Sequence, residues 1–279
     1  MKVRVHFAFA CIAFSACKFS TDTQGTSDQK AFQAELLAGG SLGLQPGEFA
    51  LTLDDGPSVY TEKLVRFLIK EDVPATFFIL GQKEGASTKI AEALKRTPEL
   101  KNLWLTTKNN ERQFLIANHT ADHEFDAGSI KELARQIATT HEVLENNGLF
   151  AGDEAPYFFR HPGGNWGWDW GSRAEVANAL NEVSGGKLKQ YIGPIQWNVS
   201  GDTAPNCTTP SRLPECKSIY LARMKQWGKG IILNHDIHPT TLDLLMGNAT
   251  MTGLIADAKK LGYKFVSLKA HPDAIKKLE

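Results

Sequence analysis

The chain has 279 residues, 42% of them hydrophobic and 22% charged, a balance that suits one large α/β barrel or two small domains. Lys+Arg and Asp+Glu both number 31, so there is no basic excess to neutralise phosphates and no nucleic-acid partner is expected. A neutral polymer such as a glycan is compatible with that balance, although charge alone does not select it.

The first segment reads as an export signal over residues 1–16. Lys2 and Arg4 precede an apolar run from Val5 to Ala16, too short for a membrane-spanning helix and followed at once by polar sequence. Phe14-Ser15-Ala16-Cys17 resembles a bacterial lipobox, with Phe14 where Leu is usual. Lipidation of Cys17 and simple cleavage both remain open, and either expects an exported protein of the periplasm or cell envelope. No other run is long enough for a membrane span. Residues 17–46, rich in Ser, Thr, Gln and Gly, read as a flexible arm or tether. Residues 47–279 then form the expected catalytic barrel.

Along that barrel, β-type and helix-type segments alternate. Strands are expected at Phe49–Leu53, Ala75–Leu80, Gln113–Ala117, Tyr157–Phe159, Tyr191–Trp197, Ile231–Leu233 and Lys264–Leu268. Helices are expected at Ser58–Glu71, around Ser87–Lys95, at Ile130–Glu145, and around Arg173–Val183, Ser218–Trp227 and Thr241–Lys260. The alternation predicts a parallel sheet with helices outside, and about seven repeats favour a barrel over an open sheet. Cys207 and Cys216 lie in a loop with Pro205, Pro210 and Pro214. In an oxidising compartment such a pair reads as a disulfide; zinc binding is the weaker reading, because no further ligand sits beside them.

The polar residues of interest follow expected strands, where a parallel barrel gathers its catalytic groups. They are Asp54-Asp55-Gly56-Pro57, His119-Thr120-Ala121-Asp122-His123, Arg160-His161-Pro162-Gly163-Gly164, Trp197 to Asp202, and Asn234-His235-Asp236. The spacing of His119 and His123 puts both rings on one face of a helical turn, and Asp55 adds a carboxylate from a neighbouring loop. Two imidazoles and a carboxylate suit Zn²⁺, or a similar divalent ion such as Co²⁺ or Ni²⁺, and leave a position open for water. Taken alone, Asp54-Asp55-Gly56-Pro57 also reads as a turn.

Together these segments resemble the NodB-type polysaccharide deacetylases, carbohydrate esterase family four. Leu51-Thr52-Leu53-Asp54-Asp55-Gly56-Pro57 looks like their first motif, and His119-Thr120-x-x-His123, with Asn118 before it, like the second. Arg160-x-Pro162-x-Gly164 matches the third and Leu233-Asn234-His235 the fifth, in family order across residues 51–235. The resemblance implies a distorted (β/α) barrel of about seven parallel strands in a single domain. It implies that Asp55, His119 and His123 hold the metal, that Asp54 is the base, that Arg160 orients Asp54, and that His235 is the acid. It also implies that the Gly163 backbone N–H helps bind the oxyanion.

The fourth motif departs from the pattern. The family has Asp-x-x-Asp-Trp, whereas this chain reads Trp197-Asn198-Val199-Ser200-Gly201-Asp202-Thr203. Asp202 is the only nearby carboxylate to support His235, and its register is shifted by about one residue. Trp166 and Trp168, near Trp170, offer flat faces for sugar rings or plug the barrel mouth, and Trp197 is a further substrate-contact candidate. The reading that follows is a metal-dependent deacetylase of N-acetylglucosamine-type polymers, peptidoglycan first. An O-acetyl esterase of the same family, including the xylan type, and a catalytically impaired wall-binding protein are the alternatives.

Overall fold

The computed structural model describes residues 44–84, 87–125, 128–150, 157–164, 182 and 191–270. The chain divides into two units, Met1–Lys30 and Ala31–Glu279, and every described residue lies in the second. The expected export signal, the arm up to residue 43, Trp166, Trp168 and all but one residue of the helix expected at Arg173–Val183 fall outside the described residues.

The first barrel strand, β1 (Glu48–Asp54), is buried at every position after Glu48, as a strand covered on both faces must be. It runs parallel to β2 (Ala75–Ile79), which runs parallel to β3 (Phe114–Asn118); both are buried throughout. A parallel bridge from Asn118 to Phe159 continues the order to β4 (Tyr157–Phe158), which pairs with β5 (Tyr191–Ile192). The chain after β5 crosses to β6 (Gly230–His235) through a Val199–Ile232 bridge, and β6 pairs with β1. The last strand, β7 (Lys264–Phe265), meets only Glu48 and Phe49 at the start of β1. All the β-type segments expected from the sequence therefore join parallel pairings. Several contribute only one or two residues, so the barrel is distorted rather than regular.

The pleat divides the core into two layers. Phe49, Leu51, Leu53, Phe77, Ile79, Phe114 and Ile116 face outward and pack with helix residues such as Leu64, Leu68 and Leu144. Ala50, Phe78, Leu115, Ala117, Phe158, Ile195 and Ile231 form a separate inner cluster. Side chains two apart share a face, so Thr52 and Asp54 belong with Ala50 on the inner side of β1. Register also aligns the strand ends: Asp54 lies opposite His235, and Ile79 opposite Asn118.

Helices cover the outside. In α1 (Thr61–Lys70) the buried Thr61, Leu64, Val65 and Leu68 form one stripe at helical spacing. Next come α2 (Lys89–Arg96), α3 (Leu100–Trp104) and α4 (Ile130–Asn146), whose Ser129 cap accepts a hydrogen bond from the Glu132 N–H. After a one-turn helix, α5 (Pro205–Thr208), comes α6 (Leu213–Trp227), which begins five residues before the expected Ser218 because Pro214 suits the first helical turn. The helix expected over Thr241–Lys260 is two helices, α7 (Pro239–Met246) and α8 (Leu254–Lys260), separated by an antiparallel ribbon at 247–252. Gly247 has φ +86, outside the helical region, and a Cβ on Gly253 would fall 2.4 Å from the Leu245 carbonyl, so the tight ribbon that interrupts the helix is built on glycine at both ends. Among the described residues no helix is long and apolar enough to cross a membrane.

A disulfide joins Cys207 of α5 to Cys216 of α6, and both residues are buried. It closes a short loop beside the segment that carries Asp202. Changing both cysteines to serine should lower the urea-unfolding free energy by roughly 2–3 kcal/mol, the loop-closure entropy returned to the unfolded chain. A loss within about 0.5 kcal/mol would show that the bridge does not stabilise this corner.

Candidate active site

The site is assembled at the C-terminal ends of the parallel strands. β1 ends in Asp54, and the chain then turns sharply at Asp55, a non-glycine residue with φ +70. Asp54 stays buried inside the barrel, while Asp55 is partly exposed. Adjacent carboxylates are thereby sent to different neighbours.

Asp54 Oδ1 accepts a 2.6 Å hydrogen bond from Arg160 Nη1. The same guanidinium donates to Thr52 Oγ1 at 2.8 Å and to the Ile195 carbonyl at 3.0 Å. It lies 4.2 Å from the Phe78 ring centroid and 5.4 Å from that of Trp197, so the fully buried cation is held by aromatic faces as well as by charge. Burial pushes the guanidinium below its ordinary value, and the Asp54 charge and hydrogen bond oppose that push. Trp197 is half-buried against the inner core cluster, with its ring against Gly164.

His119 and His123 do not lie on a helical turn. They flank a loop in which Thr120 has φ +67 and His123 φ +57, both left-handed. The loop is held instead by Asn118, whose Oδ1 accepts the Thr120 N–H at 3.0 Å, and by the Gly81 N–H donating to the Thr120 carbonyl. The two imidazoles still converge, with ring centroids 5.3 Å apart. His119 Nδ1 stands 2.9 Å from the Arg160 carbonyl. A carbonyl only accepts, so Nδ1 carries the proton and the neutral ring presents a lone pair at Nε2. That Nε2 lies 3.3 Å from Asp55 Oδ1, and His123 Nε2 lies 3.0 Å from the same oxygen.

One ligand atom from each of Asp55, His119 and His123 lies within 4.8 Å of the others. Asp55 Oδ1 is buried and makes no hydrogen bond of acceptable geometry. A carboxylate oxygen and an imidazole lone pair facing each other need a cation or an added proton between them, and this donor set fits a divalent metal. Burial would raise the Asp55 carboxyl; were His119 and His123 protonated instead, their hydrogen bonding and charge would outweigh it and hold the group well below the usual carboxylate range.

His235 stands across from Asp54, at the end of β6, with Nε2 4.0 Å from Asp55 Oδ2. Asp202 reaches it despite the altered motif. Asp202 Oδ1 lies 3.0 Å from His235 Nδ1, and Oδ2 accepts the His235 backbone N–H at 2.6 Å and the Thr241 hydroxyl at 3.0 Å. Burial would lower the His235 imidazole, but the Asp202 hydrogen bond and the charges of Asp202, Asp54 and Asp55 prevail and push it up to about 9.

Gly163 sits in a tight turn, Pro162–Gly164, at φ +64 and is exposed. The ring of Phe125 closes over it, so a Cβ there would fall 2.6 Å from two ring carbons. Phe125 is 58% exposed and lies edge-on to His123, at 5.2 Å between centroids.

The polysaccharide deacetylase family model matches residues 43–181, which carry the first three motifs. The chain belongs to the polysaccharide deacetylase family. A peptidoglycan-N-acetylglucosamine deacetylase of Bacillus cereus is 25% identical over 229 residues, 77% of this chain and 67% of that protein. Chitin deacetylase 1 of Cryptococcus neoformans var. grubii is 24% identical over 207 residues, 71% of this chain but only 39% of its own length. A solved peptidoglycan N-acetylglucosamine deacetylase superposes with a TM-score of 0.57 at 23% identity, over 83% of this chain and 90% of the other, a likeness of fold. As a polysaccharide deacetylase, the chain keeps its polar strand ends together on one face of the barrel.

Several residues around this deacetylase site carry no motif. Phe125 follows His123 in an otherwise acidic stretch, where one aromatic gives no periodic signal. Thr241 and Tyr220 are also unmarked, yet the Tyr220 hydroxyl accepts the Asp202 N–H at 2.9 Å and an Asn234 amide hydrogen at 2.9 Å.

The raised His235 value has a definite sign. Its pairing stabilises the fold fully below about pH 6.5, the unperturbed imidazole value, and that contribution is lost as pH rises through about 9. Asp202→Asn should bring the His235 titration, followed by NMR on metal-free protein, down from about 9 toward the ordinary imidazole range. An unchanged titration would mean that Asp202 does not set it.

Proposed function

We propose that this protein removes N-acetyl groups from N-acetylglucosamine-type polysaccharide, with peptidoglycan as the first substrate, and that it does so with a divalent metal, zinc first. The observation that carries this reading is that Asp54 and His235, opposite each other in the β1–β6 register, both border the Asp55, His119 and His123 cluster: Asp54 Oδ2 lies 3.6 Å from His119 Nε2, and His235 Nε2 lies 4.0 Å from Asp55 Oδ2. Amide hydrolysis needs a base, an acid and a stabilised oxyanion, and this arrangement offers a candidate for each.

A cation held by Asp55, His119 and His123 supplies Lewis-acid polarisation of the acetyl carbonyl and a more acidic water. Asp54, oriented by Arg160, takes the proton of the attacking water. The Gly163 backbone N–H donates to the developing oxyanion, which costs least when the donor is already fixed. His235, oriented by Asp202, gives its proton to the departing amine as the C–N bond breaks, leaving acetate and a free amino sugar. Trp197 and the exposed ring of Phe125 offer apolar surface to the sugar beside the acetyl group. Trp166 and Trp168 remain proposed sugar contacts.

The names of the relatives, peptidoglycan-N-acetylglucosamine and chitin deacetylases, support a wall-type N-acetylated glycan. The charged apolar leader and the buried disulfide support export to the periplasm or cell envelope, with Cys17 as the proposed lipid anchor.

Purified protein loaded with zinc, cobalt or nickel should release acetate from peptidoglycan and from N-acetylglucosamine oligomers, and chelation should abolish the release. Asp54→Asn should retain metal while losing roughly 10²- to 10⁴-fold in turnover. Acetate released only from O-acetylated xylan would replace this reading with an esterase. Equal trace activity in wild type and Asp54→Asn would favour a wall-binding protein.

A further inference from the structure

We infer that Lys89 is a positioning residue that fixes the direction of the Asp55 carboxylate by holding the Asp55 backbone carbonyl. Lys89 Nζ donates to that carbonyl at 2.6 Å. Asp55 is the residue at which the chain leaves β1 in a left-handed conformation, φ +70, which an L-residue with a Cβ disfavours. Left to its local preference, the peptide would relax, and the Cα–Cβ bond would swing away from His119 and His123.

The turn is clamped from two sides. Beyond Asp55, Gly56 passes so close to Asp236 that a Cβ there would lie 2.4 Å from Asp236 Oδ1. Asp236 is fully buried, and the Thr61 hydroxyl and Ser58 hydroxyl bond to its carboxylate and its backbone carbonyl. The Gly56 peptide thus has a wall behind it, and the Asp55 carbonyl has an ammonium in front of it.

The placement of Lys89 is itself informative. It is the first residue of α2, where the positive end of the helix dipole opposes an ammonium. A cation in that position breaks a local rule, and such breaks gather where another demand is met. Here the compensation is a charge-assisted hydrogen bond to the Asp55 carbonyl, with the Asp236 carboxyl also near the ammonium. The Lys89 N–H is itself tied to the Gln82 carbonyl, so the side chain starts from an anchored backbone.

This inference rests on the reading that Asp55, His119 and His123 hold a cation. The test is zinc affinity of the full protein by chelator competition, which needs no turnover. Lys89→Met should weaken zinc binding roughly 10- to 100-fold, the range for partners that orient a ligand. Lys89→Arg, which keeps a charged donor, should recover most of it. Should Lys89→Met fail to fold, Lys89→Gln carries the same comparison against Lys89→Arg. Wild-type affinity in Lys89→Met, or arginine doing no better than methionine, overturns the inference. So does a lower urea midpoint of the metal-free variant with unchanged zinc affinity, which is the mark of a merely structural lysine. Wild-type protein that binds no zinc overturns the cluster reading itself, and the lysine's role with it.

Discussion

Arg160 ties the two halves of the site together. Its guanidinium holds the Asp54 carboxylate at 2.6 Å, and its own carbonyl stands 2.9 Å from His119 Nδ1 and fixes that ring's tautomer. One residue thus sets both the direction of the proposed base and the lone pair that His119 presents to the cluster. The guanidinium is fully buried, so the arrangement depends on pairing being kept. A buried ion pair adds little net stability, but removing one partner leaves an uncompensated charge and costs about 3–5 kcal/mol. Phe78 and Trp197 supply ring faces that Lys could not use in the same way.

The barrel makes this convergence possible because its pleat and register leave few alternatives. Alternation along β1 gives Leu53 to the outer core and Thr52 and Asp54 to the interior, so the carboxylate and the hydroxyl meet the same guanidinium. Shifting β1 by one residue would exchange the two faces and remove both contacts. Register with β6 then sets His235 beside Asp54. The loops after the strands supply the remaining groups, each held by a few local bonds rather than by regular structure.

Much of this was legible in the sequence. Short apolar runs ending in polar clusters located the strands, because a strand buried on both faces leaves a continuous hydrophobic signature. What failed was local geometry in loops. The spacing of His119 and His123 suited a helical turn, but Asn118 and Gly81 hold Thr120 in a left-handed loop through bonds that no periodicity reveals. The shifted register of Asp202 put its support of His235 in doubt. Yet the bridge from Val199 to Ile232 ties its segment to β6, and the loop beyond carries the carboxylate to the imidazole. Motif spacing counts residues, whereas a loop delivers atoms. The break between α7 and α8 did have a signal, since Gly247 and Gly253 bracket it. The long helical pattern on either side masked them.

The cysteine pair illustrates how context decides between chemistries. Two nearby cysteines serve a disulfide or a metal, and here Cys207 and Cys216 bond to each other while two imidazoles and a carboxylate gather elsewhere. Any bound zinc should therefore take its ligands from the two imidazoles and the carboxylate and none from the cysteines. X-ray absorption at the zinc edge of loaded protein tests it most directly. The predicted first shell has two imidazole nitrogens and one carboxylate oxygen at about 2.0–2.2 Å. A sulfur neighbour at about 2.3 Å, or a shell without imidazole, would contradict it.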